Sequence, residues 1–175
     1  VRDTAAVLDA TAGNEPGDPY WAPPKAKSYL DESQTPPGKL KVAMSKTSLF
    51  GKPYDPECLA AIEETAKLLQ SLGHHVEEAN PPIAVEMLMQ AFMPVWASGL
   101  AMLIDGTAML TNRTPHESDF QGMTWGLYQM GKTVTAAQYQ MCWFQLQAIS
   151  RHVAYFQETY VVWLAMTMGA PPVRN

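Results

Sequence analysis

Residues 126–133 read GLYQMGKT and match the pattern G-x-x-x-x-G-K-[ST]. In a phosphate-binding loop of that form, backbone N–H groups and the Lys cradle phosphates while the hydroxyl meets magnesium. The surrounding residues argue against that chemistry. Such a loop follows a buried strand, whereas Ser118 to Trp125 is polar and irregular. Leu127, Tyr128 and Met130 also place bulk inside the loop, and no later apolar strand ends in an Asp that could serve the metal. The alternative is a helix closed by Gly131. A nucleotide-binding fragment is therefore one rival reading of the chain.

The other chemistry-bearing residues are dispersed. His74 and His75 are adjacent, so they point in different directions and fit a helix-exit turn better than a shared metal. His116 and His152 stand alone, without a His-x-x-x-His pair or an acidic triplet, so no metal is expected. Cys142 falls in an apolar helical stripe and reads as core; Cys58 has no nearby partner, which favours a reducing, cytoplasmic compartment over a disulfide framework. No Gly-x-Ser-x-Gly elbow occurs. Trp96 and Trp125 lie beside breaks in helical pattern and are the candidate lining of an apolar substrate pocket, with core packing as the alternative.

The elements that would position these residues change character near residue 80. Residues 1–12 carry apolar side chains at helical spacing, with Gly13 as the expected stop. Residues 14–39 hold six prolines and read as a long connection without regular structure. Residues 40–80 spell strand, helix, strand: LKVAMS, then Asp55-Pro56-Glu57 as cap, first helical position and first-turn acid, then Leu59, Ile62, Ala66 and Leu69 on one face, Gly73, and an extended stretch around Val76. That is a βαβ unit on a mixed or parallel sheet. Residues 81–159 are helical, with a break expected near Pro94 and helix starts expected at Thr114-Pro115-His116-Glu117 and Thr135-Ala136-Ala137-Gln138. The last of these helices carries Tyr139, Cys142, Trp143, Leu146, Ile149, Val153 and Phe156 on one stripe. Residues 160–175 form a buried-strand candidate, YVVWLAM, and a Pro-ended loop.

Composition narrows the partners. Twelve Lys and Arg against seventeen Asp and Glu give a net charge of −5, with no dense basic cluster, which argues against nucleic acid or an anionic membrane. Residues 81–175 carry only 4 basic and 5 acidic residues and hold ten of the eleven Met. The uncharged run MLMQAFMPVWASGLAMLI, between Glu86 and Asp105, is broken by Gln90, Pro94, Ser98 and Gly99, so a buried helix is preferred to a membrane span. A noncatalytic helical interaction module is the second rival reading of this Met-rich part. The chain opens with Val1 and reads as a portion of something longer.

Three stretches carry a family likeness: VRDTAAVLDATAG with GDPYWAPP; the run from LKVAMSKTSLFGKPYDPE to LGHHVEEANPP; and YVVWLAMTMGAPPV. Together they resemble the amidase-signature hydrolases downstream of their signature region, and within them the branch containing 6-aminohexanoate-cyclic-dimer hydrolase. The last stretch matches at Tyr160, Thr167, Pro171 and Pro172 and departs where the family's usual Asp and Pro are Val161 and Met166. The resemblance implies an α/β fold, a mixed sheet flanked by helices with a helix-rich second half, all as part of a single amidase domain. It implies hydrolysis of a small-molecule linear or cyclic amide by a Lys and two Ser, one joined through a cis peptide, all upstream of Val1. No catalytic residue is therefore assigned within the chain, and Ser45, Lys46 and Ser48 are not substitutes. No cofactor is implied, and a homodimer is expected of the full-length enzyme.

Overall fold

The computed structural model describes residues 1–173 and divides into two compact units at Lys39/Leu40. In the first, α1 (Arg2–Thr11) and α2 (Tyr29–Gln34) are tied by Asp9. Its carboxylate accepts the Tyr29 and Leu30 N–H groups at 2.9 and 3.0 Å and pairs with Lys25 at 2.5 Å, so one acid from α1 caps the start of α2. The helix α2 corrects the expectation of an irregular connection. The prolines flank residues 25–35 rather than interrupt them, and Ser28 caps the free stretch by accepting the Asp31 N–H. Gly13 is not a left-handed stop either: α1 ends at Ala12 in an extended conformation.

The second unit begins with the βαβ crossover. Strand β1 (Lys41–Met44) leads to α3 (Pro56–Ser71) and β2 (His75–Glu78), which pairs parallel to β1 with Val42 opposite Val76. Asp55 accepts the Glu57 N–H at 2.9 Å, Pro56 occupies the first turn, and Gly73 leaves the helix at φ +90°. The anticipated stripe forms the core: Ile62 and Ala66 are buried against Val42, Met44 and Val76, with Leu59 and Leu69 alongside. Strand β3 (Val162–Leu164) adds parallel to the other side of β1, giving the order β2-β1-β3. It is shorter and more exposed than the buried strand anticipated over 160–166, because it is the sheet's edge and Val162 remains 38% exposed.

Three helices fill residues 85–159. Helix α4 (Val85–Thr111) passes through Pro94 without a break, contrary to expectation. Pro94 removes one N–H donor, but Ala91 and Ala97 on either side of it are fully buried, and packing against α5 (Gly122–Thr133) and α6 (Ala136–Thr159) keeps the helix continuous. Among the described residues α4 is the one helix long and apolar enough to cross a membrane by length and composition. The Thr114 motif does not start a helix. The turn there is a 3-10 turn over Glu117–Asp119, entered by the His116 N–H donating to Asp119 at 3.0 Å, and α5 begins later, at Gly122. The Thr135 motif forms as read, with Thr135 and Gln138 capping each other at 2.9 and 3.2 Å. On the α6 stripe Cys142 and Ile149 are buried, whereas Trp143 is exposed.

Candidate functional site

The whole of GLYQMGKT lies inside α5, so there is no loop in which backbone N–H groups could converge on a phosphate. The two signature residues have packing roles instead. Gly131 lets α5 meet α4: a Cβ there would lie 2.6 Å from the Ala97 carbonyl carbon and 2.8 Å from the Ala101 Cβ. Lys132 pairs with Asp105, which also accepts the Tyr128 hydroxyl at 2.8 Å. Lys132 and Tyr128 hold the Asp105 carboxyl below its ordinary value, the Lys contributing more, and the same contacts raise both partners. Asp105 thus gives the apolar α4 one fixed polar attachment.

A cavity of about 980 Å3 in the second unit is built from the C-terminal half of α4 and the chain that follows it. Leu100, Leu103, Ile104 and Ala108 recur at helical spacing and form its apolar floor. At Asn112 the chain turns in a left-handed conformation, φ 51°, and the Arg113 N–H closes the helix on the Ala108 carbonyl at 3.0 Å. The turn brings Arg113, His116 and Asp119 to the cavity, with Phe120 as an apolar wall and Thr124 of α5 beside it. Among the described residues Arg113 forms no ion pair.

Of the two tryptophans singled out from the sequence, Trp125 supports this cavity from behind. It stacks on the Phe120 wall at 5.9 Å between centroids and lies tilted against the buried Tyr128 at 5.1 Å, within the small core of Ala101 and Ile104. Trp96 sits elsewhere on α4, stacked on Phe92 at 5.7 Å and 44% exposed, and does not line this cavity. Arg113, Phe120 and Thr124 belong to no motif in the sequence, and His116 stands alone there. The available signal was Arg113 itself, the first basic residue after Lys67, placed where the long apolar run ends.

The carboxyl ends of the parallel strands meet at a second polar point. Ser45, 1% exposed, accepts the Trp163 indole N–H at 2.7 Å and donates to the Ala79 carbonyl at 3.3 Å, so one hydroxyl joins the three strand ends. Near the other end of the sheet Glu77 receives the Tyr160 hydroxyl at 2.6 Å, the His75 ring at 2.9 Å and the Lys41 ammonium at 3.0 Å. These partners, Tyr160 first, lower the Glu77 carboxyl to about 2. Among the described residues no three His, Cys, Asp or Glu side chains gather closely enough to hold a metal ion.

The profile of the amidase family matches residues 1–170. The chain belongs to the amidase family. Within that family it is 30% identical over 144 residues to 6-aminohexanoate-cyclic-dimer hydrolase of Pseudomonas sp. (strain NK87), covering 81% of this chain and 29% of the relative. The solved structure of 6-aminohexanoate cyclic dimer hydrolase superposes with a TM-score of 0.82 at 27% identity, over 91% of this chain and 33% of that one. A bacterial aryl acylamidase of the amidase-signature family shares the fold, with a TM-score of 0.83 at 17% identity, over 99% of this chain and 36% of that one. The chain therefore spans about a third of the length of the amidases it matches. Its parallel βαβ unit and helix-rich second half are part of the amidase-signature fold.

Proposed function

We propose that the chain is part of an amidase that hydrolyses linear or cyclic amide C–N bonds, and that residues 1–175 belong to one amidase domain. The observation that carries this reading is the family match across nearly the whole chain. The proposed mechanism uses a Ser–cis-Ser–Lys triad on a segment outside these 175 residues. The Lys relays a proton, one Ser oxygen attacks the amide carbonyl, the amine departs with a proton, and water then releases the acyl group; backbone N–H groups hold the oxyanion. This portion would supply scaffold and pocket wall. In that role Trp125 acts on substrate through Phe120, and the half-exposed ring of Trp96 offers a second apolar contact. The reading takes a small-molecule amide as the partner, neither nucleic acid nor membrane, a homodimer as the assembly and the cytoplasm as the compartment. No cofactor takes part in it.

The test is to express the longest continuous reading frame containing these residues, follow hydrolysis of 6-aminohexanoate cyclic dimer and of a linear anilide, and map the site labelled by a serine-reactive fluorophosphonate. Amide hydrolysis with the label on a Ser outside residues 1–175 is expected. Absence of hydrolysis, or a label on a Ser such as Ser45 or Ser48, would overturn the reading.

A further inference from the structure

We infer that the cavity on the C-terminal half of α4 binds the apolar chain of a linear amide that ends in a carboxylate, with Arg113 taking the carboxylate. This rests on the amidase reading and adds a substrate preference to it. The cavity volume, about 980 Å3, lies in the range of small-molecule sites and accommodates a chain of several methylene groups. Its floor of Leu100, Leu103, Ile104 and Ala108 has no charge to offer and suits such a chain.

The charged groups on its lining are Arg113 and Asp119, both supplied by the chain after Asn112, while Thr107 and Thr111 set hydroxyls among the floor residues of α4. Arg113 is exposed, lines the cavity and among the described residues has no carboxylate within ion-pair distance, so its guanidinium keeps its donors for a ligand. Asp119, the acid on the lining, keeps its charge while accepting the His116 N–H at 3.0 Å, and among the described residues it forms no ion pair with Arg113. The first turn of α5, which supplies Thr124, contains no acidic residue. Arg113 is also held in place: the left-handed Asn112 and the Arg113 N–H bond to Ala108 fix where its side chain leaves the backbone. A neutral cyclic amide would use the floor alone, whereas a linear amide with a terminal carboxylate would use both floor and guanidinium.

The decisive measurement is calorimetric titration of the 175-residue chain with adipic acid monoamide and with its uncharged methyl ester. The monoamide should bind at least about tenfold more tightly at low salt, as a charge-assisted bond from an exposed Arg allows. In Arg113→Gln that preference should vanish while ester affinity stays unchanged, and Ala108→Trp, which sets a bulky ring on the floor, should weaken both ligands at least about tenfold. Equal affinities, a preference that survives Arg113→Gln, binding unweakened by Ala108→Trp, or no binding of either ligand would each overturn the inference. Circular dichroism of both variants distinguishes loss of the site from loss of the fold. Hydrolysis by the longer reading frame without Arg113-dependent preference would leave the amidase reading standing and remove this one. Arg113-dependent binding without any hydrolysis would do the reverse.

Discussion

Gly131 of α5 lies against the backbone carbonyl of Ala97 in α4, so closely that no side chain fits between the two helices. The glycine that completes a nucleotide-loop pattern on paper is thus the crossing point of a helix pair. Gly131→Ala should lower stability by about 3 kcal/mol, because the obstacle is backbone and cannot rotate away. For a domain of this size that corresponds to a melting temperature lower by roughly 10 °C. Gly126→Ala, on the same helix with nothing within 4 Å of its missing Cβ, is the control and should leave melting unchanged or slightly raised. Equal effects of the two substitutions would contradict the crossing.

Lys132 follows the same logic. Its ammonium is committed to Asp105, so MgATP should shift neither the melting temperature nor the tryptophan fluorescence of the chain. Lys132→Ala should lower the melting temperature slightly and leave that null response to nucleotide unaltered. A nucleotide-induced shift that disappears in Lys132→Ala would restore the phosphate-loop chemistry.

Ser45 is the buried hydroxyl on which the strand ends converge. Ser45→Ala leaves the Trp163 indole N–H and the Ala79 carbonyl without their side-chain partner, at a cost of about 1–3 kcal/mol. Trp163→Phe should cost a comparable amount, and the double variant should cost less than the two together, since both remove one interaction. Urea denaturation of the three variants measures this. Strict additivity would show that the bond contributes nothing.

Glu77 makes stability depend on acid. Its ordinary value is 4.5, and the Tyr160 hydroxyl, His75 and Lys41 lower it to about 2 in the folded chain. A depressed carboxyl stabilises the fold fully above the unfolded value and loses that contribution as pH falls through the folded one. The Glu77-dependent stability should therefore be constant above about pH 5 and decline between 4.5 and 2. Comparing urea midpoints of wild type and Glu77→Gln across this interval isolates the effect. Parallel pH profiles of the two proteins would refute it.

Much of the architecture is written locally. Asp55-Pro56-Glu57, Gly73 and Thr135-Ala136-Ala137-Gln138 act within a few residues of themselves, so α3, its exit and the start of α6 could be read directly. Where expectation and structure part, a distant contact has outweighed a local preference. Pro94 would end an isolated helix but stays helical between buried alanines. Ser28 starts a helix because Asp9, nineteen residues earlier, supplies further caps.

The candidate site divides along the same line. Residue order alone established the βαβ unit and the family likeness, because both rest on short-range spacing of caps, turns and apolar faces. Packing decided where Gly131, Trp125 and Arg113 sit. A glycine is needed only where another backbone approaches, Trp125 backs a wall only because Phe120 folds onto it, and Arg113 meets the floor of α4 only because Asn112 reverses the chain. Each of these depends on which elements become neighbours, and that is set by the burial of whole faces rather than by the spacing within any one of them.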